Sequence, residues 1–437
     1  MKTTLLKSSR QFALRASMFF TGLAAAIVLT QTAAAGDLVV HEWGTFTSVQ
    51  GGDGKLLRWQ SEQIGDLPRF IYNWRQPGLN RQAPSILTFG KGGLTGLQRM
   101  ETPVIYFYSN KELDADVTVK FPGGHITEWF PQADDVGEPG FVAKAAATVT
   151  KNPTGGSVIR WQNVRVLPAK ANPALASQMP TTTNATHYFA ARETESAFVR
   201  VNDASSTSLP VQYEKFLFYR GTGDFATPLT VTTTDEGAVT VENTGTKPLA
   251  KMFLLHVKDG KAQWTSLPKL PPHAKQIFGT LDAASAGEPR LIADVQKQLG
   301  DAMAEALTGE GLFPAEARAM VKTWSDSWFA EEGVRVLYIL PRDWTDETLP
   351  MTLNPKPTEL VRVMVGRAEV ITPKLQKELA QALKLNQSGD KEAGERLQAY
   401  WKKLGRFSGP ASQLANSLTV KTVNEVSAVA PTAAKPE

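Results

Sequence analysis

Short runs of β-branched and aromatic residues, broken at close intervals by glycine and proline, occupy most of the chain up to about residue 280. The first runs from Val39 to Val49, and Gly51-Gly52-Asp53-Gly54 turns it toward Leu56, Leu57 and Trp59 as a hairpin partner. Asp66-Leu67-Pro68, Gln76-Pro77-Gly78 and Ala83-Pro84 then interrupt residues 60–98, which predicts a long ordered excursion with a short strand over Phe70–Trp74. Beyond it, Val104–Tyr108 is apolar on both faces, Val117, Val119 and Phe121 alternate, and His125–Phe130 returns after Pro122-Gly123-Gly124. Further strands are expected at 147–150, 157–167, 197–202 and 213–219. This rhythm predicts a large β-sandwich or jelly roll over residues 36–225.

A second alternating set, at 229–233, 238–243, 251–257 and 276–278, predicts a smaller immunoglobulin-like sandwich over 226–281. The period then changes. Apolar residues recur at helical spacing over 290–307, and Pro314 opens a second helix at its favoured first position. Strands over 334–340 and 360–365 precede Thr372, which caps a helix beginning at Pro373, breaking near Ser388-Gly389-Asp390 and reaching about Leu404. Residues 282–407 thus read as a helical and α/β region. Residues 408–437, rich in Ala, Ser, Thr and Pro without periodicity, read as a disordered tail. The expected class is mainly β with a C-terminal α/β part.

The first 35 residues belong to none of this. Lys2, Lys7, Arg10 and Arg15 precede an apolar run over Met18–Leu29 and a small-residue site at Ala33-Ala34-Ala35, the pattern of a signal peptide cleaved near Ala35. The apolar run is too short to span a bilayer comfortably, so no membrane span is expected after cleavage. Removing the leader lowers Lys plus Arg from 47 to 43, equal to the 43 acidic residues. A neutral mature chain offers no electrostatic footprint for nucleic acid. Cysteine is absent, which excludes disulfides, thiolate metal sites and a cysteine nucleophile.

Candidate chemistry begins in the opening strand. His41-Glu42 resembles the start of a zinc-protease helix, but position 45 is Thr, and on a strand the two side chains point to opposite faces. His125 and Glu128 fail as a local chelate for the same reason. No cofactor is predicted; a divalent metal would need His41, His125 and His187 to converge from different elements. Glu42, Glu101 and Glu128 are the carboxylates with acid/base potential. Each lies within or beside an apolar strand, where it needs a partner such as an arginine or else acquires a raised pKa. Trp43, His187, Arg192, Tyr219 and Arg220 sit in dense polar clusters and are the candidate ligand-binding residues. Gly90-Lys91-Gly92-Gly93 lacks the phosphate-loop spacing, and no nucleophile elbow occurs.

His41-Glu42-Trp43-Gly44-Thr45-Phe46-Thr47-Ser48, Arg99-Met100-Glu101-Thr102-Pro103-Val104, Ile126-Thr127-Glu128-Trp129, Lys215 to Gly221 and Thr323 to Phe329 together resemble a family of uncharacterised secreted bacterial proteins, over nearly the whole mature chain. The resemblance implies export from a bacterium and assigns no activity, cofactor or site.

With no complete catalytic constellation in view, the sequence points to a periplasmic or secreted, non-catalytic binding or scaffold protein. The alternative is a hydrolase acting on glycans or another cell-envelope polymer through the three carboxylates. A cell-envelope polymer or glycan is the expected partner of either.

Overall fold

The structure, a computed structural model, describes residues 38–60, 67–73, 94–136, 157–183, 186–202, 210–267, 269–280 and 288–429, with side chains to residue 418. The leader and the strand expected at 147–150 lie outside the described residues. The protein is mainly β, with large mixed sheets and a C-terminal helical part. Among the described residues no helix is long and apolar enough to cross a membrane.

A ten-stranded sheet organises the chain, in the order β18 (Arg290–Leu291), β16 (Lys261–Leu267), β15 (Met252–Lys258), β19 (Gly333–Ile339), β21 (Glu359–Ile371), β1 (Val39–Gly51), β5 (Gln98–Tyr108), β12 (Leu217–Gly223), β7 (Gly124–Phe130) and β3 (Tyr72–Asn73). A six-stranded sheet holds β11 (Gln212–Glu214), β10 (Phe198–Val201), β9 (Ser157–Leu167), β6 (Leu113–Phe121) and β20 (Met351–Asn354) in line, with β8 (Asp135–Val136) paired to β9. Two small sheets are β13 (Leu229–Thr233), β14 (Ala238–Asn243) and β17 (Lys275–Thr280), and β2 (Trp59–Gln60) with β4 (Thr95–Gly96). The helices are α1 (Ile292–Gly309), α2 (Pro314–Ser325), α3 (Arg342–Thr348), α4 (Pro373–Gln387), α5 (Lys391–Leu404) and α6 (Ser408–Val429).

The opening strand is central because β21 pairs with it in parallel along its full length while β5 pairs antiparallel on its other side. Its side chains alternate between two layers. His41 and Thr47 face the helical layer, where His41 Nδ1 lies 2.7 Å from Glu316 Oε2 on α2 and Thr47 donates to Glu101. Glu42 and Phe46 face the other way: Glu42 accepts from Tyr219, whose ring meets Trp161 of β9, and Phe46 packs edge-on against Trp344 of α3. The expectation that His41 and Glu42 part company is met.

Three expectations are corrected. The set over 226–281 does not close as an immunoglobulin-like sandwich: β15 and β16 join the ten-stranded sheet, and only β13, β14 and β17 form a sheet of their own. The hydrogen bonds of β15 to β19 carry the large sheet across the boundary expected at 281, and β21 to β1 closes it on the N-terminal strands. A two-sheet sandwich confined to 36–225 is therefore not what forms. Residues 430–437 lie outside the described residues, and 408–429 are not structureless. They continue as α6, where Ala411 and Ala415, four apart and fully buried, bring that helix into a second hydrophobic core with Val49, Trp59, Ile371, Leu379 and Phe407. Small residues give close approach without an obvious apolar stripe.

Local rules hold elsewhere. Pro314 stands at the first position of α2, and Glu316 closes the turn by accepting from the Phe313 N–H at 2.9 Å. Thr372 and Asp390 cap α4 and α5 through their side-chain oxygens. The β1/β5 register slips between Trp43 and Thr45, where Gly44 faces Pro103. A Cβ on Gly44 would lie 2.9 Å from Pro103 Cα and 3.0 Å from Met364 Sδ, and the proline backbone cannot yield. Gly44→Ala is expected to destabilise the protein by about 1–3 kcal/mol through overpacking, read as a lower denaturant midpoint; an unchanged midpoint would contradict this account of the glycine.

Candidate functional site

The helix-facing side of the ten-stranded sheet carries an unusual cargo for a core: alternating arginines and glutamates across successive strands. Arg335 of β19 donates to Glu369 of β21 at 3.0 Å, and Arg367 of β21 donates to the same carboxylate at 2.8 Å. Arg367 also reaches Glu331 at 2.7 Å. One strand beyond β1, Glu101 of β5 accepts from Arg406 and Thr47 and lies 3.3 Å from Arg99 Nε. Farther along, Arg220 of β12 stands directly opposite Glu128 of β7. Burial alone would push the Glu101 carboxyl up, but Arg406, Arg99, Arg220 and Arg367 outweigh it and hold its pKa at about 2. Glu331, half-buried, is likewise lowered by Arg367, Arg406 and Arg335.

At the edge of this network a cleft of about 760 Å³ opens between the sheet and the helices, within the size range of small-molecule sites. One wall is the 3-10 turn His187–Arg192, giving His187 and Phe189; the facing wall is the end of α2, giving Lys322, Thr323 and Trp324. His187 lies against Trp324 with ring centroids 5.1 Å apart. The floor is Glu101, Ser327, Glu331 and Arg406. Here α2 widens into a π-turn over Asp326–Ala330, closed by the Glu331 N–H to the Asp326 carbonyl. That extra residue per turn turns the Ser327 hydroxyl toward Arg367 and Arg406, which donate to it at 2.7 Å and 3.0 Å. Arg406 arrives from the 3-10 turn Gly405–Phe407 after α5, so the second core supplies one floor residue.

Of the predicted residues, Glu101 and His187 come together in this cleft. Glu42 does not: it is wholly buried on the opposite face, accepting from Tyr219 at 2.6 Å and Arg362 Nε at 2.6 Å. Glu128 lies inside the sheet layer beside Thr127 and Arg220. Trp43 and Tyr219 are fully buried, Arg220 is 1% exposed, and Arg192 forks onto Glu214 at 2.8 Å and 2.6 Å. These four candidates serve the interior. His41, His125 and His187 do not share a metal site. β1 and β7 are three strand spacings apart, about 14 Å, His41 is taken up by Glu316, and among the described residues no three His, Asp or Glu groups converge. The residues that sequence reasoning passed over are Thr323, Asp326, Ser327 and Arg406. Their signal was faint: two hydroxyls four apart beside a tryptophan pair, and an arginine just past a helix end.

No protein-family model and no curated protein matches the chain. Among solved structures, the Fcho1 mu homology domain of Danio rerio with a bound Eps15 peptide aligns over 77% of this chain and 97% of its own at 6% identity, with a TM-score of 0.28. The yeast delta-COP-I mu-homology domain aligns over 77% and 98% at 8% identity, with a TM-score of 0.26. Similarity at this level decides neither fold nor ligand.

The Glu101 shift has a sign that can be measured. A carboxyl with a folded pKa near 2 and an unperturbed value of 4.5 stabilises the fold above pH 4.5, and that contribution, about 3 kcal/mol, is lost as pH falls toward 2. Denaturant titrations across that window should show stability rising with pH. In Glu101→Gln the rise should be shallower, with about 3–5 kcal/mol lost at pH 7 because the arginines remain buried and uncompensated. An equal slope in both proteins would mean that Glu101 is not held ionised by its neighbours.

Proposed function

We propose that this is an exported, non-catalytic binding protein that engages a cell-envelope component through the cleft between the 3-10 turn His187–Arg192 and the π-turn Asp326–Ala330. The observation that carries the reading is the state of the carboxylates. Glu42 is locked between Arg362 and a tyrosine hydroxyl, and Glu101, the only one of the three that lines the cleft, is held ionised by arginines. A group with a pKa near 2 carries no proton to donate to a leaving group at neutral pH. A hydrolase of the two-carboxylate type needs one such donor, so this arrangement favours binding over hydrolysis. Export rests on the leader pattern of residues 1–35 and on the resemblance to secreted bacterial proteins.

The test is co-sedimentation of the mature protein with isolated bacterial envelope polymers, with the supernatant assayed for released fragments. Saturable binding without fragment release is expected. Lys322→Trp, at a position 61% exposed on the cleft wall, should occlude the cleft and weaken binding at least about tenfold at an unchanged thermal midpoint. Fragment release that disappears in Glu101→Gln would overturn the proposal in favour of the hydrolase.

A further inference from the structure

The cleft's hydrogen-bonding groups have fixed polarities, and these specify the class of ligand. Ser327 Oγ accepts from two guanidinium groups, Arg367 at 2.7 Å and Arg406 at 3.0 Å. A guanidinium has no acceptor, so the serine's own proton cannot go to either arginine, and among the described residues no side chain or carbonyl takes it. Ser327 is therefore left as a donor in a cleft-lining position. Thr323, four residues earlier on the same helical run, is the reverse. Its hydroxyl donates to the Ala319 carbonyl at 2.8 Å, leaving only lone pairs for a ligand. Asp326, exposed at the rim, has no ion-pair partner among the described residues and can only accept. His187, backed by the buried Trp324, and Phe189 form a ring wall alongside.

Several of the cleft's other ions are engaged with one another. Arg406 is held by Glu101, Glu331 accepts from Arg367, and Lys322 bridges to Glu193 at 2.5 Å. An anionic ligand on the floor would have to draw Arg406 away from Glu101, whose carboxylate is buried, at high cost. What the floor can satisfy without that is a group that both accepts and donates at adjacent positions while presenting a ring face to an aromatic wall. Vicinal hydroxyls on a pyranose ring do this.

We infer that the ligand is a neutral saccharide, with adjacent hydroxyls bridging Ser327 and Thr323, a further hydroxyl donating to Asp326, and a ring face against the half-buried rings of His187 and Phe189. The inference rests on the cleft being the binding site. The volume accommodates more than one sugar ring.

The experiment is calorimetric titration of the mature protein with four probe sets: neutral, aminated and acidic oligosaccharides, and short envelope-derived peptides. Neutral sugars are expected to bind, with affinity unchanged when salt is raised about tenfold, since no ion pair forms with the ligand. Ser327→Ala should weaken them about tenfold, the loss of one hydrogen bond. Because that variant also removes an acceptor from two buried arginines, Asp326→Asn at the exposed rim provides a second reading. The amide keeps one acceptor, so neutral sugars should lose less than about tenfold. Binding of aminated sugars alone, salt-sensitive and abolished in Asp326→Asn, overturns the neutral class while leaving the binding function standing. Binding of only acidic or peptide probes does the same. No binding by any probe set overturns both.

Discussion

The structure depends on a row of buried arginines and glutamates lying across the helix-facing side of the large sheet. Arg335, Arg367 and Glu369, Glu101 with Arg99, and Arg220 with Glu128 come from β19, β21, β5, β12 and β7, with Thr47 of β1 bridging the middle. Ion pairs in a core are poor sources of net stability, because desolvation cancels most of the attraction. They are demanding about geometry, however. A strand slipped by one residue would turn its charged group into the opposite layer, away from its partners, so the row fixes the register of five strands at once. Guanidinium suits this role because its planar fork binds two acceptors without adjustment, as Arg367 does with Glu331 and Glu369.

The same row joins the two hydrophobic cores. The helices after Thr372 pack around Trp59, Leu379 and Phe407, and this cluster meets the main sheet through Val49 and Ile371 and, beside them, through an ionic contact. Arg406 enters toward Glu101 and Ser327, and Arg367 and Arg406 both lie over the Phe407 ring at about 5 Å. A purely apolar joint could slide; a guanidinium held by a carboxylate, a hydroxyl and an aromatic face has one seat. The cleft sits beside that joint, and its floor residues are held by it.

Much of this was legible in the sequence, and the rest was hidden for physical reasons. Strand periodicity located β1, β9, β13 and β14 closely, and the proline and cap signals placed α2, α4 and α5. The opposite faces of His41 and Glu42 followed from the pleat alone. What periodicity cannot give is which sheet a strand joins: β15 alternates as well in a small sandwich as it does beside β19. α6 is invisible to a hydrophobic count because its packing uses Ala411 and Ala415. Glu101 and His187 stood out as polar residues near apolar runs. Ser327 did not, because its polarity in the cleft is created by two arginines 40 and 79 residues away in sequence.

The saturation of the ion network also limits what the cleft can do. For Arg406 to turn toward an incoming anion it must release Glu101, and a carboxylate so enclosed has no water to fall back on. That step transfers the cost of binding into the register of the sheet. Groups that can be recruited freely are those whose hydrogen-bonding capacity is left over once the fold is complete: the Ser327 proton, the Thr323 lone pairs and the rim carboxylate of Asp326. A fold stabilised by charge thereby presents a mostly charge-neutral floor, and its selectivity has to come from the direction of hydrogen bonds and the face of a ring.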